Sequence, residues 1–89
     1  MAYVSGRVFA GQKTGITTSA VQLDLTQNCR EVLIQNDAAN AGNLLIGNVS
    51  GQYVAITPGQ SITFPVISLN LIYVKMSVGT GTVNWLARD

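Results

Sequence analysis

Gln52-Tyr53-Val54-Ala55-Ile56-Thr57-Pro58-Gly59-Gln60-Ser61-Ile62-Thr63-Phe64-Pro65-Val66 is the stretch that decides the fold class. Pro58 pre-sets φ at the first central position of a turn, and Gly59 accepts the positive φ that a type II turn demands at the second. Before the turn, residues 52–57 read as a strand. After it, Ile62, Phe64 and Val66 alternate with Ser61, Thr63 and Pro65, the period of two that marks a half-buried strand. Pro65 has no N–H to give a ladder, so this strand is expected at a sheet edge.

The same grammar extends in both directions. Toward the C-terminus, residues 71–77 form the most apolar strand, with Ile72, Val74 and Met76 on one face. Gly79-Thr80-Gly81 is read as a hairpin onto a last strand at residues 82–87. Toward the N-terminus come strands at residues 43–47, 30–36 and 19–25. Val32 and Ile34 share a face, and so do Val21, Leu23 and Leu25. A first strand is expected at residues 2–10, followed by a loose arm or long loop over residues 11–18. No segment reads as a convincing helix. The expectation is an all-β fold: a small antiparallel β-sandwich or jelly roll of about eight short strands, with no substantial helix. Residues 1–18 are read as an N-terminal strand or arm and residues 19–89 as the β-sandwich domain, within a single domain overall.

Composition bounds what such a fold can do. At 89 residues there is room for one core. Cys29 is the only cysteine and histidine is absent, so neither a disulfide framework nor a zinc site is expected. Cys29 reads as a small buried hydrophobe. Charged residues are only 10% of the chain, against about 25% in an ordinary soluble domain, while apolar residues reach 47%. A small domain has much surface and needs polar residues to cover it. The apolar surplus therefore points to burial against partner subunits. A net charge of +1 gives no footprint for nucleic acid, and no apolar run is long enough to span a membrane as a helix. Neither nucleic acid nor a membrane is expected as a partner.

Catalytic chemistry is not expected. Without histidine the commonest base and metal ligand is missing. The four acids, Asp24, Glu31, Asp37 and Asp89, are scattered among different elements. Asp24 and Glu31 flank one turn as a conceivable glycosidase-like pair, set against the reading of two solvated loop acids. Asp37, Asn40 and Asn43 share a loop that invites a calcium reading, but one carboxylate is too little charge and the spacing is wrong. No catalytic residue, metal ligand or cofactor is expected. Tyr53, Tyr73 and Trp85 offer a sugar-stacking platform as one alternative and core or interface packing as the other.

The order of four pieces carries a resemblance. Cys29-Arg30-Glu31-Val32-Leu33-Ile34-Gln35-Asn36 is followed by Leu44-Leu45-Ile46-Gly47-Asn48. Then come Ile56-Thr57-Pro58-Gly59-Gln60-Ser61-Ile62 and Leu69-Asn70-Leu71-Ile72-Tyr73-Val74. Over residues 21–86 this order resembles small β-sandwich structural proteins carried in the virions of tailed bacteriophages. The resemblance implies a non-enzymatic capsid decoration or cement subunit, often a homotrimer, that clamps the major capsid protein or another virion protein. It would be assembled in the host cytoplasm and reside in the virion. Related small sandwiches serve at head-fibre bases or tails, so the alternative is a carbohydrate- or receptor-binding module. Val4, Val8 and Phe9 are expected as contacts beyond the protein's own core, with Tyr53, Tyr73 and Trp85 as further interaction residues. An N-terminal segment, residues 1–18, would add a strand to a neighbour's sheet.

Overall fold

In the computed structural model, which describes residues 7–89, eight strands form two four-stranded antiparallel sheets. They are β1 (Val8–Ile16), β2 (Val21–Gln22), β3 (Glu31–Asn36), β4 (Leu44–Asn48), β5 (Gly51–Ile56), β6 (Ser61–Pro65), β7 (Tyr73–Met76) and β8 (Gly81–Arg88). One sheet runs β1-β8-β3-β6 and the other β2-β7-β4-β5. Strands therefore pair in a nested series, β4 with β5, β3 with β6, β2 with β7 and β1 with β8. This is the jelly-roll arrangement, an antiparallel ribbon folded at the Val49-Ser50 turn and rolled up. The only helical element among the described residues is a 3-10 turn at Leu69–Leu71.

Alternation builds the core. Val32, Ile34, Val83, Trp85 and Ala87 point inward from the first sheet, and Leu44, Ile46, Ile56, Ile72, Val74 and Met76 from the second. Leu23 and Leu69 plug one end and Ile16 takes part at the other. Each fully buried Leu or Ile contributes roughly 1.5–3 kcal/mol relative to exposure. The expected Pro58-Gly59 turn is present: Gly59 has φ 85° and the Gln60 amide donates to the Thr57 carbonyl at 3.0 Å. Strand β6, which ends at Pro65, is an edge strand as its proline requires.

Three local expectations are corrected. Residues 11–16 are not a loose arm but the greater part of β1, so the sandwich does not begin at residue 19. The strand was hidden because Gly11 and Lys13 occupy inward positions where an apolar side chain was sought. Gly11 faces Trp85 across the β1–β8 ladder, and a Cβ there would strike the indole ring, so glycine is what lets the backbone lie against it. Strand β2 stops at Gln22, and Leu25, grouped by periodicity with Val21 and Leu23, is 78% exposed. Gly79-Thr80-Gly81 does not close a hairpin, because β7 and β8 lie in different sheets. Every connection except β4–β5 crosses between the sheets.

Candidate functional site

Of the six residues singled out from sequence, the five within the described residues do not converge. Val4 lies outside the described residues. Val8 projects from the outer face of the first sheet, in register with Arg88 and next to Leu86 and Leu33. Phe9 points the other way and packs against the core, with the Arg7 guanidinium 5.6 Å from its ring centroid. Trp85 is only 9% exposed and belongs to the core. Tyr53 sits at the irregularity where β5 slips against β4 and is 88% exposed, while Tyr73 is half-buried on β7. An exposed row of Tyr53, Tyr73 and Trp85 is therefore absent, because the third ring faces the interior.

The two ends of the sandwich differ in chemistry. One end carries the β1–β2, β3–β4, β5–β6 and β7–β8 connections. There Asn36, fully buried at the end of β3, donates its amide to the carbonyls of Gly42 (3.1 Å) and Ile56 (2.9 Å). Its Oδ1 accepts from Asn40 at 2.6 Å, and the Asn40 side chain also exchanges two hydrogen bonds with the Thr82 backbone. Three connections are thus tied by two asparagines. Asp37 accepts from the Ala39 amide and from Asn84 Nδ2, and those bonds, Asn84's foremost, hold its carboxyl below the usual carboxylate range. Of the oxygens that invited a calcium reading, those of Asp37 accept from Ala39 and Asn84 and that of Asn40 accepts from the Thr82 amide.

The opposite end carries the β4–β5 hairpin, the β2–β3 and β6–β7 connections, Arg7 and Asp89. Residues 23–30 and 66–72 close it by pairing with each other: Leu23 N donates to Ile72 O, Leu69 N to Gln27 O, and Cys29 N to Ile67 O. Cys29 donates its thiol to the Val66 carbonyl at 3.3 Å, and burial pushes that thiol's pKa up. Of the exposed large hydrophobic side chains among the described residues, Leu25, Val49, Ile67, Leu71, Val8, Leu86 and Tyr53 lie at this hairpin end or on the strand halves leading to it. Val54 lies mid-strand in β5 opposite Ile46, and among the described residues only Val78 lies at the asparagine end. Between the β5 and β6 edges the two sheets part, leaving an apolar cleft of about 390 Å³ walled by Ile46, Val54, Ile62, Phe64, Val66 and Leu71.

Charge at the hairpin end is balanced and mostly internal. Arg7 is bridged to Asp89 at 2.8 Å, and Arg88 Nε meets Glu31 Oε1 at 3.0 Å. Hydrogen bonds from the Arg7 backbone and side chain hold the Asp89 carboxyl below its ordinary range. Asp24 accepts from the Leu25 amide and Glu31 from Arg88. Among the described residues no group of three or more Cys, Asp or Glu is placed to hold a metal ion. Nor is any helix there long and apolar enough to cross a membrane.

Two features escaped sequence reasoning. Asn36 reads only as the last residue of the strand at residues 30–36, and nothing local marks it as buried. The hairpin end left a signal: Val66-Ile67-Ser68-Leu69-Asn70-Leu71-Ile72 is too apolar for a connection that water covers. Set beside known protein families, curated proteins and solved structures, the chain matches none.

Proposed function

We propose that this chain is a non-enzymatic structural subunit of a larger protein assembly, of the virion decoration or cement type, with its partners seated on the hairpin end. The observation that supports this reading is the segregation of exposed apolar side chains to that end, while the asparagine end is sealed by hydrogen bonds. Scattered single hydrophobics are normal on a small domain; a cluster at one end beside an open apolar cleft marks an interaction surface. The jelly roll suits the task, since it supplies a rigid block with loops at two ends that evolve independently of the core. The resemblance to tailed-phage virion proteins supplies the kind of assembly: a homo-oligomer, with a trimer favoured, attached to the major capsid protein or another shell subunit in the virion.

The mechanism is burial. An oligomer whose apolar faces cover seams between shell proteins raises the work of parting them. Contacts of about 1,000 Å² of total surface are the usual floor for specificity. Several weak contacts held on one oligomer act together and release slowly. Light scattering after size exclusion tests the reading on the isolated chain. A closed oligomer is the expected result, and a monomer at every concentration overturns it.

A further inference from the structure

We infer that the hairpin end binds a second copy of this chain, and that an Asp24–Arg30 pair between copies sets the register. This rests on reading the chain as an assembly subunit, and it names the partner at that surface. Within the hairpin end the charges are three of each sign, Arg7, Arg30 and Arg88 against Asp24, Glu31 and Asp89. Two pairs are satisfied inside the subunit, Arg7 with Asp89 and Arg88 with Glu31. Arg30 and Asp24 are left over: among the described residues neither has an ionic partner, and Arg30 is exposed. Both lie on the connection between β2 and β3, which also carries exposed Leu25, and Ile67 and Leu71 are exposed on the segment that pairs with it.

A surface with one unpaired cation, one unpaired anion and an apolar centre is complementary to itself. When copies meet through it around a closed ring, Asp24 of each faces Arg30 of the next while Leu25, Ile67 and Leu71 are covered. A lipid surface would favour a basic excess, which this end lacks.

The experiment is a charge-reversal cycle on the full chain, read by light scattering across a concentration series. Arg30→Asp alone and Asp24→Arg alone each place like charges in contact, and each should weaken self-association by roughly tenfold or more. The double variant Asp24→Arg/Arg30→Asp rebuilds the pair with its signs exchanged, and association should return to within about threefold of the original. Far-UV circular dichroism and thermal melts confirm that each variant is folded, and Leu71→Ser provides a charge-neutral variant of the same surface that should also weaken association. An oligomer that persists unchanged through both single reversals overturns the inference while leaving the assembly reading intact. So does one abolished by deleting residues 1–6 but indifferent to the reversals, which would give the surface to that segment. A wild-type chain that is monomeric throughout overturns both.

Discussion

At the asparagine end, Asn36 and Asn40 direct their side-chain amides to carbonyls and amides of three separate connections. At the hairpin end, two connections pair backbone to backbone and leave Leu25, Ile67 and Leu71 in solvent. Both solutions satisfy the backbone groups that a jelly roll strands where its ribbon crosses between sheets. They differ in what is left over. Buried side-chain amides leave a polar, finished surface, whereas backbone pairing closes the other end without using Leu25, Ile67 or Leu71. The lesson is that an end closed by its own backbone is the one free to become an interface.

The strongest way to break this contrast is at Asn36. Replacement by Leu removes three hydrogen bonds and strands the carbonyls of Gly42 and Ile56 in a buried site. A loss of about 3 kcal/mol is expected in urea unfolding, and a loss under about 1 kcal/mol would show that the asparagine end is not held in this way. Next comes Gly11, whose missing side chain makes room for Trp85 in the core that both ends share. Gly11→Ala should cost about 2 kcal/mol by overpacking. Hydrogen exchange should show protection falling at both ends together; loosening confined to one end would mean that the ends are not coupled through the core.

At the hairpin end the expectation reverses. Leu25→Ser and Ile67→Ser remove exposed side chains, so monomer stability should stay within about 0.5 kcal/mol. Binding of a hydrophobic dye to that surface should nonetheless fall, and a large stability loss would mean that these side chains are packed within the subunit. The smallest effect is on acid stability. Asp37 at one end and Asp89 at the other both have lowered carboxyl pKa values. A depressed folded pKa stabilises above the unfolded value and is lost as pH falls through the folded one. Stability should therefore decline as pH falls from the ordinary carboxylate range down through the lowered values. Asp37→Asn and Asp89→Asn should each make that acid limb shallower in melts taken from neutral pH downward.

Most strands could be read from the chain because burial on one face writes a period of two into it. Val32 and Ile34, Ile62 and Phe64, and Val74 and Met76 all point where their alternation said. Pro65 correctly marked an edge and Pro58-Gly59 a turn. Pairing partners were a different matter. Gly79-Thr80-Gly81 carries hairpin chemistry, yet it joins two sheets, because a turn's residues specify local φ and not which sheet the next strand enters. Strand β1 was half missed, since Gly11 is shaped by a ring 74 positions away, as the pairing with Trp85 makes plain. The candidate surface was legible only as a surplus: low charge led to the expectation of a covered face, but that Leu25, Ile67 and Leu71 are exposed together at one end emerges only once segments 23–30 and 66–72 lie side by side.

The nested pairing of β4 with β5, β3 with β6, β2 with β7 and β1 with β8 also dictates an order of assembly. Only the innermost pair is joined by a short turn, and each outer pair encloses all those inside it. Closing β1 onto β8 first would demand ordering nearly the whole chain in one step. Zipping outward from Val49-Ser50 divides that entropy among stages, each starting from ends already brought near. Folding should accordingly be slow for so short a chain, with the hairpin formed early and the Arg7–Asp89 clasp last. Truncating Ile46 to Val should then slow folding in a stopped-flow chevron, whereas Arg7→Ala should chiefly accelerate unfolding. The opposite assignment of rates would mean that the roll closes from its termini inward.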